Sequence, residues 1–316
     1  MKNRKMLGNG LLLLTAMIWG TAFAFQRAGM ESIEPITFNA ARMALAAIAV
    51  GLVALLMRKK EARSSVIRTA DQQKRYRKDN TVGGLFCGVF LSLGSIFQQM
   101  GLVYTTAGKA GFITAMYILL VPVFGFIVFG RKNTWLVRAA VLLGIVGMYF
   151  LCISGEFRLS KGDALVSACA LFYTGHILSC DHFGKRGDPI VISTIQFVTA
   201  TVVSAVVAFI TEEPSMEKVA SALVPILYCG IVSGGIGFTL QIVAQRITEP
   251  TTASLLMSME AVFAVIAGVI LLHERMSVRE ISGCLIMLAA IILVQIPMQG
   301  KKAGQSSSGQ GSSGQV

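Results

Sequence analysis

The chain has 316 residues, 54% of them hydrophobic and only 14% charged, against about 25% charged in soluble domains. That deficit excludes an ordinary soluble enzyme and points to a chain lying mostly in lipid. The net charge of +12 does not indicate nucleic-acid binding, because Lys and Arg fall in short clusters between apolar runs and no nucleic-acid-binding motif accompanies them.

Ten segments have the roughly 20 mainly apolar residues that a membrane-spanning helix needs. They are Leu7–Arg27, Pro35–Met57, Thr81–Val103, Gly108–Phe129, Trp135–Ile153, Gly162–Cys180, Pro189–Ile210, Ala222–Gln245, Pro250–Leu272 and Val278–Ile296. The first, behind Lys2, Arg4 and Lys5 and containing Ala22-Phe23-Ala24, also has the layout of a secretory leader. Its apolar run is longer than a leader's, and the repeat described next needs it, so it is expected to be retained. Connections are short except for the basic stretch 58–80, and the chain ends in a Gly/Ser/Gln-rich tail, 299–316, expected to be disordered. With the N-terminus inside, nineteen Lys and Arg face the cytoplasm and seven face outward, which places both termini in the cytoplasm.

The two halves resemble each other. An offset of 154 lays Trp19 over Tyr173, Pro35 over Pro189 and Arg42 over Gln196. Beyond the basic stretch the offset falls to 139, which lays Val121 over Glu260 and Pro122 over Ala261, with room for a small gap past the fourth and ninth spans. Five spans per half force the second half into the membrane in the opposite sense, a recurrent build of secondary transporters. The expected fold is therefore an all-α integral membrane protein of ten transmembrane helices in two inverted five-helix repeats. The first repeat is 1–157, with the cytoplasmic loop 58–80, and the second is 158–298.

Several stretches carry a family resemblance: "AMIWGTAFAFQRAG", "PITFNAARMALAA", "QQMGLVYTTAGKAGFITAMYILLVPVFG" and "PTTASLLMSMEAVFAVIAGVILLHERMS". In order and spacing they resemble an EamA-type permease of the drug/metabolite transporter superfamily, over about residues 7 to 297. The resemblance implies a central cavity open to alternating sides, and transport, often export, of small organic solutes such as amino acids or related metabolites across the plasma membrane. No cofactor is expected. The first half departs from the family where it has "FGRKNTW" in place of the acidic "LLHERMS" of the second. An integral-membrane enzyme or lipid-handling protein is the alternative, but no paired catalytic acids, HExxH or nucleophile motif is present, and no GxxxxGK[ST] supports ATP-driven pumping.

Glu260 lies mid-span, where an ionisable residue costs roughly 2.5–3.5 kcal/mol and must face the bundle interior. It is either a contact for substrate or proton or a structural tie between helices. Arg42, two turns into the second span, either anchors structurally or recognises a substrate carboxylate, and it could pair with Glu260. The amides Gln98, Gln99, Gln241 and Gln245, the hydroxyls of Thr114 and Tyr117, and the repeat-related Trp19 and Tyr173 suit either helix–helix contact or a zwitterionic or aromatic solute. His176 is either a packed neutral imidazole or a proton carrier. The candidate substrate site is thus Glu260, Arg42, Trp19, Gln98, Tyr117, Tyr173, His176 and Gln241. The six isolated cysteines read as small buried hydrophobes, and no metal site is expected. The expected partners are a small-molecule solute and membrane lipids.

Overall fold

The computed structural model describes residues 2–61, 69–130, 134–154, 158–245, 247–248 and 256–294. The tail 299–316 and residues 62–68 of the basic stretch lie outside the described residues. The chain is almost wholly helical: α1 (Lys2–Gly29), α2 (Pro35–Glu61), α3 (Ala70–Leu102), α4 (Ala107–Ala115), α5 (Tyr117–Phe129), α6 (Trp135–Cys152), α7 (Lys161–Gly184), α8 (Pro189–Thr211), α9 (Met216–Ser221), α10 (Leu223–Leu227), a π-helix (Tyr228–Gly237), α11 (Phe238–Gln245), α12 (Glu260–Leu272) and α13 (Val278–Val294). Two short antiparallel strands, β1 (Ile153–Ser154) and β2 (Arg158–Leu159), link α6 to α7.

Among the described residues, eight helical stretches are long and apolar enough to cross a membrane, and Leu256–Leu272 is a shorter apolar helix. Large apolar side chains such as Phe209, Ile210, Leu56 and Ile127 are exposed on the bundle's outside, as hydrocarbon contact requires. Where helices cross, small residues let backbones touch. A Cβ on Gly20 would lie 2.5 Å from the Glu260 carbonyl, which shows how closely α1 approaches α12.

Four features differ from the expectation drawn from hydropathy. The basic stretch is partly helical, because α2 runs to Glu61 and α3 starts at Ala70 rather than at Thr81. Thr69 and Gln72 form a capping box there, so the polar first turns are held by their own hydrogen bonds outside the apolar region. The fourth span breaks at Met116 between α4 and α5, upstream of Pro122. The chain also breaks at Met259, just before α12, where no proline follows. The eighth span is not one regular helix: α10 passes into the π-helix through the glycine-bearing run "YCGIVSGGIG".

The breaks recur at an interval of 143 residues. Met116 and Met259 precede two 13-residue helices, α5 and α12, which end at Gly130 (φ 63°) and His273 (φ 54°), both in the left-handed region. These landmarks lay Tyr117 over Glu260, where the sequence offset of 139 puts Val121. Trp135 and Val278, which open α6 and α13, are 143 apart as well, so no gap is needed past the fourth span.

Candidate functional site

A central cavity of about 1040 Å³ is framed by α1 to α8, the π-helix, α11 and the start of α12. All eight candidate site residues line it: Trp19, Arg42, Gln98, Tyr117, Tyr173, His176, Gln241 and Glu260. Their convergence follows from helix spacing. On α1, Trp19, Ala22, Phe23 and Gln26 recur every three or four residues and form one inward stripe, and Tyr173, His176, Ile177 and Cys180 do the same on α7.

The polar lining is cross-linked between helices. Tyr173 donates from its hydroxyl to Gln98 Oε1 at 3.4 Å, and Gln98 Nε2 donates to Thr114 Oγ1 at 3.1 Å, joining α7, α3 and α4. His176 Nε2 lies 2.9 Å from Gln196 Oε1, joining α7 to α8. The Trp19 indole N–H donates to the Ser233 carbonyl at 3.1 Å, a π-helix carbonyl. On α2, Arg42 Nε donates to Asn39 Oδ1 at 2.9 Å. Asn39 is fully buried, and its Nδ2 donates to Ser95 Oγ at 3.0 Å and Ser204 Oγ at 2.9 Å.

Glu260 is half-buried and opens α12. Among the described residues no ion pair joins it to Arg42, so a closed pair of these two charges is not present in this conformation. Gln99 is buried but does not line the cavity, and the Gln245 side chain lies outside the described residues. No group of three or more His, Cys, Asp or Glu among the described residues is placed to hold a metal ion, and the six cysteines are free thiols.

Polar bridges tie the helices together at one end of the bundle. Glu274 accepts from the Ala107 and Gly108 N–H groups at 2.8 and 3.2 Å, capping α4, and lies 3.7 Å from Arg27 Nε. Arg27 also donates to the Leu102 and Thr105 carbonyls. Lys109 pairs with Asp163 at 3.2 Å and Glu280 at 3.4 Å. Glu212, at the end of α8, accepts from the Ile36 and Thr37 N–H groups at 2.9 and 2.7 Å, and Lys218 pairs with Glu34. The cavity lining continues away from this layer, to Gly184, Pro189 and Met257.

The model of the EamA-like transporter family matches residues 6–153 and again 160–296. The chain belongs to the EamA-like transporter family. It is a multi-pass membrane protein of a family of transporters and not an enzyme. Among similar chains, an "Uncharacterized transporter" of Archaeoglobus fulgidus is 28% identical over 90% of this chain and 84% of its own length. The "Uncharacterized transporter YoaV" of Bacillus subtilis is 23% identical over 90% and 94%. A crystal structure superposes with a TM-score of 0.61 at 18% identity, covering 92% of this chain and 97% of that one, which establishes a shared fold.

The cavity also contains polar residues that were not among the candidates. Gln26 follows from the α1 stripe, one helical step beyond Phe23. Gln196 is the repeat mate of Arg42, so the symmetry pointed to it. Ser233 carried no signal, because its carbonyl is offered to Trp19 only through the π-helical backbone.

Proposed function

We propose that the protein is a secondary-active exporter of small organic solutes, such as amino acids or related metabolites, working by alternating access through the central cavity. The observation that carries this reading is the meeting of Trp19, Arg42, Gln98 and Tyr117 from the first half with Tyr173, His176, Gln241 and Glu260 from the second around one cavity. A site shared by two halves can be exposed to one side or the other as the halves rock.

Ten helices in two inverted repeats, 1–157 and 158–298, are part of this proposal, and the packing supports them. In repeat terms α1 corresponds to α7, α2 to α8, α3 to the π-helix with α11, α4 and α5 to α12, and α6 to α13. The neighbour pattern obeys that exchange. The α1–α12 contact mirrors α7 with α4 and α5, α2 with the π-helix mirrors α8 with α3, and α2–α8 and α6–α13 map onto themselves. Pro35 and Pro189, 154 residues apart, both open helices.

With both termini cytoplasmic in the plasma membrane, as the basic-residue count favours, the ion-paired layer is the outer closure. The Gly184–Pro189 end then faces the cytoplasm, the side from which an exporter loads. Solute, with surrounding lipid, is the partner, and no cofactor is required. Counterflow of radiolabelled amino acids and other charged and neutral metabolites in proteoliposomes tests the reading. Saturable flux is expected, and absence of flux for every class of solute would overturn it.

A further inference from the structure

Among the described residues, two buried polar atoms of cavity-lining side chains have no partner, and they are of opposite sense. Arg42 is 9% exposed, and its Nη2 meets no acceptor. Gln26 is 3% exposed; its Nε2 donates to the Ala22 carbonyl at 3.1 Å, while its Oε1 meets no donor. Both lie toward the ion-paired end. Gln26 is one turn short of the α1 C-terminus and Arg42 two turns into α2, depths of about 5 and 10 Å at 1.5 Å per residue.

A buried guanidinium without a counter-charge is expensive, and buried charges are ordinarily paired. The side chains that hold Arg42 are neutral. Asn39 accepts from Nε, Ser95 and Ser204 fix Asn39 in turn, and the guanidinium sits beside the Tyr173 hydroxyl. This support spans α2, α3 and α8, so the guanidinium is held in one orientation and its cationic charge is left for something outside the protein. A rigid guanidinium fork binds a carboxylate bidentately, and the single charge of a carboxylate balances the one guanidinium here. The orphan Gln26 oxygen asks for an N–H or O–H on the same molecule.

We propose that Arg42 anchors the carboxylate of the transported solute and Gln26 Oε1 accepts a hydrogen bond from a donor near that carboxylate. The substrate class is then small organic acids carrying an amino or hydroxyl group close to the carboxylate. Asn39 is a positioning residue that aims the guanidinium. This assignment rests on the transporter reading and narrows it, giving Arg42 a role in recognition rather than in anchoring alone.

The test is counterflow in proteoliposomes with a panel of L-amino acids and 2-hydroxy acids, each paired with its own carboxamide. The carboxylate should be carried about 10–100 times better than the carboxamide, the factor expected for one charge-assisted contact. Arg42→Gln should erase that preference and Arg42→Lys should keep part of it. Gln26→Leu, which leaves the charge in place, should slow amino and hydroxy acids relative to the matching unsubstituted acids, so the assignment stays testable if Arg42→Gln fails to fold. Equal transport of acid and carboxamide, or an unchanged preference in Arg42→Gln, would overturn the assignment. Flux of a neutral or cationic solute that is indifferent to Arg42 would overturn it too, while leaving the transporter reading in place. No flux of any solute would remove both.

Discussion

Replacing Glu274 by Ala should open the proposed outer closure. In the structure this carboxylate does two things at once. It accepts the first two free N–H groups of α4, at 2.8 and 3.2 Å, and it faces Arg27 of α1 at 3.7 Å. Loss of an N-terminal cap costs about 0.5–2 kcal/mol. The ion pair adds only a few tenths of a kcal/mol, because the Arg27 side chain is 35% exposed and water screens it. A loss of about 2 kcal/mol from the closed form alone shifts its balance against the outward-open form by roughly thirtyfold. Glu274→Gln, which keeps an oxygen acceptor but not the charge, should fall between. The assay uses a cysteine at position 26, in a chain with the six native cysteines removed, labelled from outside the cell by a membrane-impermeant maleimide. The Ala variant should label markedly faster than the parent. Equal rates in a well-folded Ala variant would show that Glu274 does not hold the closure.

Glu260→Gln should keep the fold, judged by size-exclusion profile, but lose solute flux in proteoliposomes; wild-type flux would assign Glu260 to structure alone. The Glu34–Lys218 pair gives a pH dependence outside the membrane. Lys218 holds the Glu34 carboxyl below the usual carboxylate range and is itself raised, so the pair's contribution is present above the unfolded carboxylate pKa and fades as pH falls through the depressed one. It fades again above the raised lysine pKa. Melting curves between pH 3 and 6 should lose part of their acid sensitivity in Lys218→Met, and identical curves would contradict the pairing. Cys87 and Cys180 have sulfurs 3.6 Å apart on α3 and α7, so mild oxidation should link the two peptides within one chain; failure to recover that linked pair would argue against this packing of α3 on α7.

The parts of the site legible in the sequence were those the repeat made visible. Trp19 and Tyr173 correspond across the halves, and Glu260 and Arg42 stood out as charges inside apolar runs, where burial alone demands a reason. Hydropathy also located the helices, but it registers only the lipid-facing length and so missed the start of α3, although Thr69 and Gln72 carry the capping-box spacing. The offset of 139 inside the fourth span is four residues short of the one the helix breaks at Met116 and Met259 define, because the uniformly apolar runs from Val121 and Glu260 align almost equally well in either register. Glu274 and Glu212 were illegible as helix caps. Each serves a helix whose N-terminus lies more than 150 residues away in the chain, and only the folded bundle brings them together. The π-helix was illegible too, since its shifted backbone bonding comes with Trp19 packing on Ser233 and Gly237.

On the proposed mechanism, solute crosses through the cavity shared by the two halves. The direct measurement is counterflow in proteoliposomes of Tyr117→Cys, a position that lines that cavity, in a chain without native cysteines, before and after reaction with a bulky thiol reagent. Measurable flux before reaction, its abolition afterwards, and unchanged flux in a reacted cysteine-free control that keeps Tyr117 are the predicted result. Undiminished flux through protein shown by intact mass to be fully modified at position 117 would contradict it.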